Sequence, residues 1–510
     1  MKNINLTYIF LLAILSSVLF NEANLNYIQS ISQTKEIENQ RIVHGSTIWS
    51  FDNTDYLPFV KNIMNGDGYI LLAEDQETRV RRTPVYPIFY GSFYFIFGEK
   101  KAHFLIRYAQ VFLFAVSAVL VCLSVFHFFK SKKWAIIAGY IYALNPFILF
   151  YCYYTLPEAL YLFFVVLSIY LFSIYFRKGK LTAIFLCGIA SSIAFLTKPT
   201  TGVIIISFLS YFIFDKTLKK NLLPIGILVS GFLTVLSPWV IRNYILTNEL
   251  IIAEKFYHGS SMTYGRSDAG LRALVACWEN PAVLPSENFS NLLLFNINNG
   301  KESKNIEAID HYINNWPSKA FKGYSKEELR SALLLLNKHY IIKQQFHINK
   351  PNALRKEYLN LPTEDDPNNA FKLLRKKFIM NAPLQYYLTT PLTYIKGIIF
   401  NSFSHHVDMI SPPTVNLNSL QLASKAATYL LHVLFYLSVL YFFILSPFQF
   451  KFKALLLAPV VVLMLALVYV FRYVENRYLL PIHPFLVITL SFMVSDIYAR
   501  INNKLSKLIP

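Results

Sequence analysis

Long apolar runs separated by short basic loops constrain this chain more than any other feature. A helix rises about 1.5 Å per residue and bilayer hydrocarbon is about 30 Å thick. By that measure crossings are expected at Ile4 to Phe20, Phe104 to Phe129, Trp134 to Tyr151, Leu156 to Phe176 and Leu181 to Leu196. Further runs follow at Thr201 to Phe214, Leu222 to Trp239, Ala426 to Leu445, Ala454 to Phe471 and Tyr478 to Ile497. Composition agrees, with 55% hydrophobic and only 15% charged residues and a mean hydropathy of +0.39. Soluble domains carry roughly a quarter charged residues. The expected fold class is therefore an all-α polytopic membrane protein with a bundle of about ten transmembrane helices.

The net charge of +19 does not point to nucleic acid, because the basic residues sit in short loops between the runs. Lys130, Lys132 and Lys133, then Arg177, Lys178 and Lys180, are examples of the positive-inside pattern. With Lys2 inside, these clusters and those at Lys216 to Lys220, Lys451 to Lys453 and Arg500 to Lys507 alternate correctly as cytoplasmic loops. The first run starts basic like a secretory signal, but Ser16 to Ala23 offers no small-x-small cleavage site, which favours an uncleaved anchor. Two segments then fall outside the cytoplasm, Asn21 to Lys101 and Ile241 to about Ser424. The expected organisation is a membrane module over 1–240, a mainly helical extracytoplasmic domain over 241–424, and final helices over 425–510. Within the domain, Ser325 and Glu328 ahead of Leu329 to Leu336 have the spacing of a capping box. The four cysteines have no disulfide or metal spacing.

The chemistry-bearing stretch is the first outer loop. Asp52 and Asp55 precede Tyr56, Phe59, Val60 and Ile63, whose helical spacing predicts an amphipathic helix with Asp52 near its start. A carboxylate there serves either as a general base or merely as the helix N-cap. Arg79, Arg81 and Arg82 follow, ahead of Pro84 and Pro87 and an aromatic run ending at Gly98. Guanidinium groups bind phosphate bidentately, although interfacial arginines are also drawn to anionic headgroups. The prolines keep that run separate from a continuous span.

The series Asp52, Tyr56, Gly66, Gly68, Tyr69, Arg82, Pro84, Tyr86, Pro87 and Gly98 resembles the first loop of the dolichyl-phosphate-mannose protein mannosyltransferase-like family, glycosyltransferases of the GT-C class that include aminoarabinose lipid A transferase-like enzymes. Three more stretches are similar and come in order: TLPEALYLF around Glu158, SPWVIRNY from Ser237 to Tyr244, and ENRYLLPIHPFL from Glu475 to Leu486. The Leu196 to Pro199 turn and the segment Pro383 to Tyr387 are similar too, whereas Met262 to Lys377 matches no known pattern. The resemblance implies a GT-C bundle in the plasma or inner membrane, transferring a sugar from a polyprenyl-phosphate donor to a lipid, glycan or protein acceptor outside the cytoplasm. It implies Asp52 as catalytic base and Arg82, beside Arg81, facing the lipid phosphate. Glu158 takes the outer-loop acidic position, assisting Asp52, holding a divalent cation, or serving only as a helix N-terminal acid. Arg477 and Tyr478 sit at the mouth of the last span, where an Arg neutralises a leaving phosphate or anchors the interface. Arg242 and Asn243 are expected to fix a helix exit.

The chain departs from the pattern in having Asn53 after Asp52, so that Asp55 is the next acid. That leaves Asp55 as a substitute base, and leaves open whether a divalent cation is used; no other cofactor is implied. His405 and His406 with Asp408 give no metal site, since adjacent histidines diverge on a helix. An oligosaccharide ligase or polymerase would concentrate its arginines in later loops. A lipid or polysaccharide transporter would carry charges within its spans and show repeat symmetry, and neither is seen in the sequence.

Overall fold

The computed structural model describes residues 6–32, 42–44, 47–49, 56–71, 79–215, 217–254, 268–280, 286–350, 367–400 and 419–508. These form two compact units: residues 1–255, 399–463 and 476–510 in the first, and 256–398 with 464–475 in the second.

The first unit is a helical membrane bundle. Its elements are α1 (Leu6–Ser32), α2 (Leu57–Asn65), α3 (Val85–Phe129), α4 (Lys132–Ala143), α5 (Pro146–Leu149), α6 (Glu158–Lys178), α7 (Leu181–Thr197), α8 (Val203–Ile213) and α9 (Leu218–Thr247). Among the described residues, seven helices are long and apolar enough to cross a membrane, including Lys425–Leu445, Phe450–Phe471 and Arg477–Asn502 near the C-terminus. The other three expected runs form shorter helices. Leu181–Thr197 and Pro199–Ile213 are apolar but short, and the run from Trp134 breaks between α4 and α5. There Asn145 leaves the helical region and its side chain caps α5 by accepting from the Phe147 amide at 3.1 Å. Pro146 opens that short helix, where its missing N–H costs nothing.

The tightest crossing joins α7 to α9. A Cβ on Gly188 would stand 2.2 Å from the Leu228 carbonyl oxygen, and one on Gly231 would stand 2.2 Å from that of Phe185. Only glycine permits backbones this close, the means by which helices associate where no hydrophobic force drives them together. The outward faces of the spans remain apolar, as at Leu11, Leu15, Leu222 and Leu233, which suits a solvent of lipid.

Two expectations are corrected. The aromatic run from Val85 is continuous with the next span in α3, yet Gly98 at φ +74° breaks the helical path, so glycine rather than proline makes the division. Among the described residues, a short two-stranded antiparallel hairpin, β1 (Ile42–His44) with β2 (Thr47–Trp49), accompanies the helices without changing the all-α class. Charge is present within a span: Arg107 of α3 is buried, 3.2 Å from Glu22, with its guanidinium 4.8 Å from the Tyr153 ring centroid.

The second unit holds α10 (Ala269–Val275), α11 (Ser286–Asn298), α12 (Lys304–Asn314), α13 (Lys326–Asn349), α14 (Pro367–Asn381) and most of α15 (Thr390–Phe400). Leu271, Trp278, Leu293, Ile309, Trp316, Leu333 and Phe371 are among the residues of its core. Ser325 and Glu328 make the expected reciprocal capping box at the start of α13. Met464 to Glu475 belongs to this unit. Asn280 and Val474 exchange two hydrogen bonds at 3.0 and 3.2 Å, and Arg472 donates to the Ala276 and Tyr386 carbonyls at 3.1 and 2.7 Å.

Candidate active site

A buried cluster of charge forms where α6, the end of α7 and the start of the last span meet. Pro157 occupies the N-cap position of α6 and Glu158 its first turn, where the helix dipole favours an anion. Glu158 is fully buried, and an ionised carboxylate in such a place requires a counter-charge. Lys198 supplies it, with Nζ 2.6 Å from Oε1, and Arg477 Nε lies 3.7 Å from the same oxygen. The other oxygen, Oε2, is buried with no hydrogen-bond partner among the described residues. Tyr478 and Tyr161 complete the lining, their ring centroids 5.5 and 5.7 Å from Lys198 Nζ.

Local sequence explains the placement of Lys198. The residue before a proline is pushed out of the α region. Lys198 precedes Pro199, and at φ −153° and ψ 116° it ends α7. Sequence reasoning noted this turn but passed over its lysine; the available signal was a basic residue capping an apolar run on the same side of the bundle as Glu158.

The first loop is held beside this cluster by side chains from within the same unit. The Tyr69 hydroxyl donates to the carbonyls of Arg82 and Thr83 at 3.0 and 3.1 Å, and its ring stacks on Phe59 of α2 at 4.4 Å. Burial pushes that hydroxyl well above the ordinary tyrosine range, so it stays a donor. Arg242 donates to the carbonyls of Arg79 and Tyr69 at 2.9 and 3.2 Å and packs 4.7 Å from the Trp239 ring centroid. The SPWVIRNY stretch thus clamps the loop, beyond the helix-exit role expected of it. Arg81 and Arg82 are half-buried. The Arg82 guanidinium stands 5.2 Å from the Tyr56 ring centroid, and Tyr56 meets Tyr86 edge-on at 5.1 Å. Tyr69 and Val85 also pack against a buried cluster that includes Leu196, near the end of α7 just ahead of Lys198. These contacts bring the loop that carries Arg82 against the end of α7 that carries Lys198.

Asp52 and Asp55 lie outside the described residues, as do His405, His406 and Asp408. Helix α2 begins at Leu57 with Tyr56 as its N-cap residue. Among the described residues, no group of three or more His, Cys, Asp or Glu comes together to hold a metal ion.

Residues 81–241 match the family model described as Dolichyl-phosphate-mannose-protein mannosyltransferase. A curated protein of Aquifex aeolicus (strain VF5), described as uncharacterized, is 25% identical over 206 residues, which is 40% of this chain and 41% of that protein. Among solved structures, the Archaeoglobus fulgidus oligosaccharyltransferase aligns with all of this chain and 52% of its own, at 12% identity and a TM-score of 0.43. ArnT from Cupriavidus metallidurans, in its complex with undecaprenyl phosphate, aligns over 93% of this chain and 76% of its own, at 13% identity and a TM-score of 0.32. The chain thus spans about half the length of the archaeal enzyme and matches less than half of the curated relative. The family matched over 81–241 is the one that the loop and span motifs resemble.

Proposed function

We propose, from the premise that residues 81–241 match the dolichyl-phosphate-mannose-protein mannosyltransferase family, that this chain is a multi-pass membrane glycosyltransferase. It takes a sugar from a polyprenyl-phosphate donor and passes it, with inversion, to an acceptor at the extracytoplasmic face. The observation that carries this reading is the pairing of a buried carboxylate with two cations beside the arginine-bearing loop. Glu158 Oε2 is a buried acceptor without a partner among the described residues, a capacity that a sugar hydroxyl would satisfy.

In the proposed reaction the acceptor hydroxyl or amine loses its proton to Asp52 and attacks the anomeric carbon. The bond from that carbon to the phosphate oxygen breaks, and the lipid phosphate departs with the electron pair. Arg82 and Arg477 stabilise the charge that grows on the phosphate, since fixed cations aimed at developing charge lower the barrier. Glu158 keeps Lys198 and Arg477 in place and accepts a hydrogen bond from a sugar hydroxyl through Oε2. Asp55 is the alternative base.

Incubating the purified protein with labelled polyprenyl-phosphate sugars and following label into acceptor tests the reaction. Arg82→Ala is expected to weaken apparent donor affinity by about 2 to 3 kcal/mol, the worth of a charge-assisted bidentate contact, with little change in Tm. Unchanged donor affinity would reduce Arg82 to a headgroup anchor.

A further inference from the structure

In the second unit, the segment from α14 through α15 carries an apolar stripe that no described residue of the unit covers. Leu373, Met380, Leu384, Tyr387, Leu388 and Leu392 are exposed, Leu384 at 73% and Met380 at 70%. The opposite face is already satisfied: Tyr386, Thr390 and Tyr394 are buried, with Thr390 and Tyr394 donating to the carbonyls of Cys277 and Ala276 at 2.9 and 3.0 Å. A helix apolar on both faces is wholly enclosed by protein or meets lipid. Here the inward face meets protein and the outward face is exposed among the described residues.

Two observations identify what covers it. The first is continuity with a span. Arg472 directly follows the apolar helix Phe450–Phe471, stands 3.7 Å from the Tyr386 ring centroid and bonds the Tyr386 carbonyl. Val470 and Phe471, at the end of that helix, are 75% and 64% exposed. The middle of the stripe is therefore tied, through Arg472, to the end of a helix that has the length and composition to cross a membrane. The second is charge. From Pro367 to Phe400 the sequence contains Lys372, Arg375, Lys376, Lys377 and Lys396 and no acidic residue. Lys372, Lys376 and Lys396 are exposed along the same segment. Apolar side chains flanked by lysines match the boundary between headgroups and acyl chains of an anionic leaflet.

We propose that this stripe, from Leu373 to Leu392, lies in the surface of an anionic membrane, so that the second unit meets the bilayer through its own helix face. The test uses the full chain in vesicles of mixed phosphatidylcholine and phosphatidylglycerol. A spin label is placed on Leu384→Cys or Leu388→Cys, with Asn299→Cys, exposed in the same unit, as control; the four native thiols are buried. Collision with oxygen, which partitions into lipid, is compared with collision with a water-soluble nickel chelate. The oxygen-to-nickel ratio at 384 and 388 is expected to exceed that at 299 several-fold, and to fall when phosphatidylglycerol is omitted. Nickel access equal to that at 299 would mean a water-facing stripe, and protection from both reagents would mean a protein cover; either overturns the proposal. A ratio indifferent to phosphatidylglycerol overturns its anionic part.

Discussion

Glu158 is a carboxylate whose charge only its neighbours make tolerable. Breaking a buried pair on one side costs about 3 to 5 kcal/mol, whereas replacing both partners is close to neutral. Lys198→Met is therefore expected to lower the Tm of the solubilised protein, by less than the full amount because Arg477 remains 3.7 Å from Oε1. Adding Glu158→Gln should restore most of that Tm without restoring sugar transfer. Thermal unfolding of the two variants checks this, and a double variant no more stable than the single one would mean the pair does not share a buried site. The sequence made Glu158, Arg477 and Tyr478 legible separately, through their places in apolar runs and through resemblance. Their meeting with Lys198 was not legible, since the two ends of the pair are 40 residues apart and joined only by packing.

Elements were read more completely than contacts. Each apolar run corresponds to helix, because spacing and hydropathy are local properties. The break at Asn145 and Pro146 and the kink at Gly98 depend on single residues that a window average smooths over. The crossing at Gly188 and Gly231 was invisible, because a glycine in an apolar run does not reveal what stands opposite it. Gly188→Val should force α7 and α9 apart and abolish recovery of folded protein, whereas Gly226→Ala, with nothing within 4 Å of the new Cβ, should be tolerated. Size-exclusion profiles in detergent distinguish the two, and equal profiles would refute the close crossing. Between α8 and α9, Asp215 accepts from Lys451 at 2.6 Å, and that hydrogen bond, with one from the Thr217 amide, brings its carboxyl down from 3.8 to about 2. A carboxylate with a lowered folded pKa contributes stability that is present above the unfolded value and lost as pH falls through the folded one. The stability gap between the native chain and Asp215→Asn should thus be constant above pH about 5 and shrink between about 4 and 2. A gap indifferent to acid would show the pair to be inert.

For the whole molecule, the membrane class followed from composition alone, since 15% charged residues cannot clothe a soluble protein of this size. What composition hides is that Met464–Glu475, at the end of an apolar run, packs into the second unit. Reading by runs assigns such a segment to the membrane and has no means of seeing the carbonyls that Arg472 satisfies. The proposed transferase rests on a base in the first loop, and one measurement addresses it most directly: transfer of label from a polyprenyl-phosphate sugar by Asp52→Asn, with Asp55→Asn as control. An amide keeps the shape of the side chain but cannot take the acceptor's proton, and general-base assistance contributes about a hundredfold to ten-thousandfold. Asp52→Asn is expected to lose transfer to that extent while the protein still inserts, folds and binds donor, with Asp55→Asn retaining more activity. The reverse ranking would move the base to Asp55. Full activity in both single variants and in the double variant would contradict the account and remove the first loop from the chemistry.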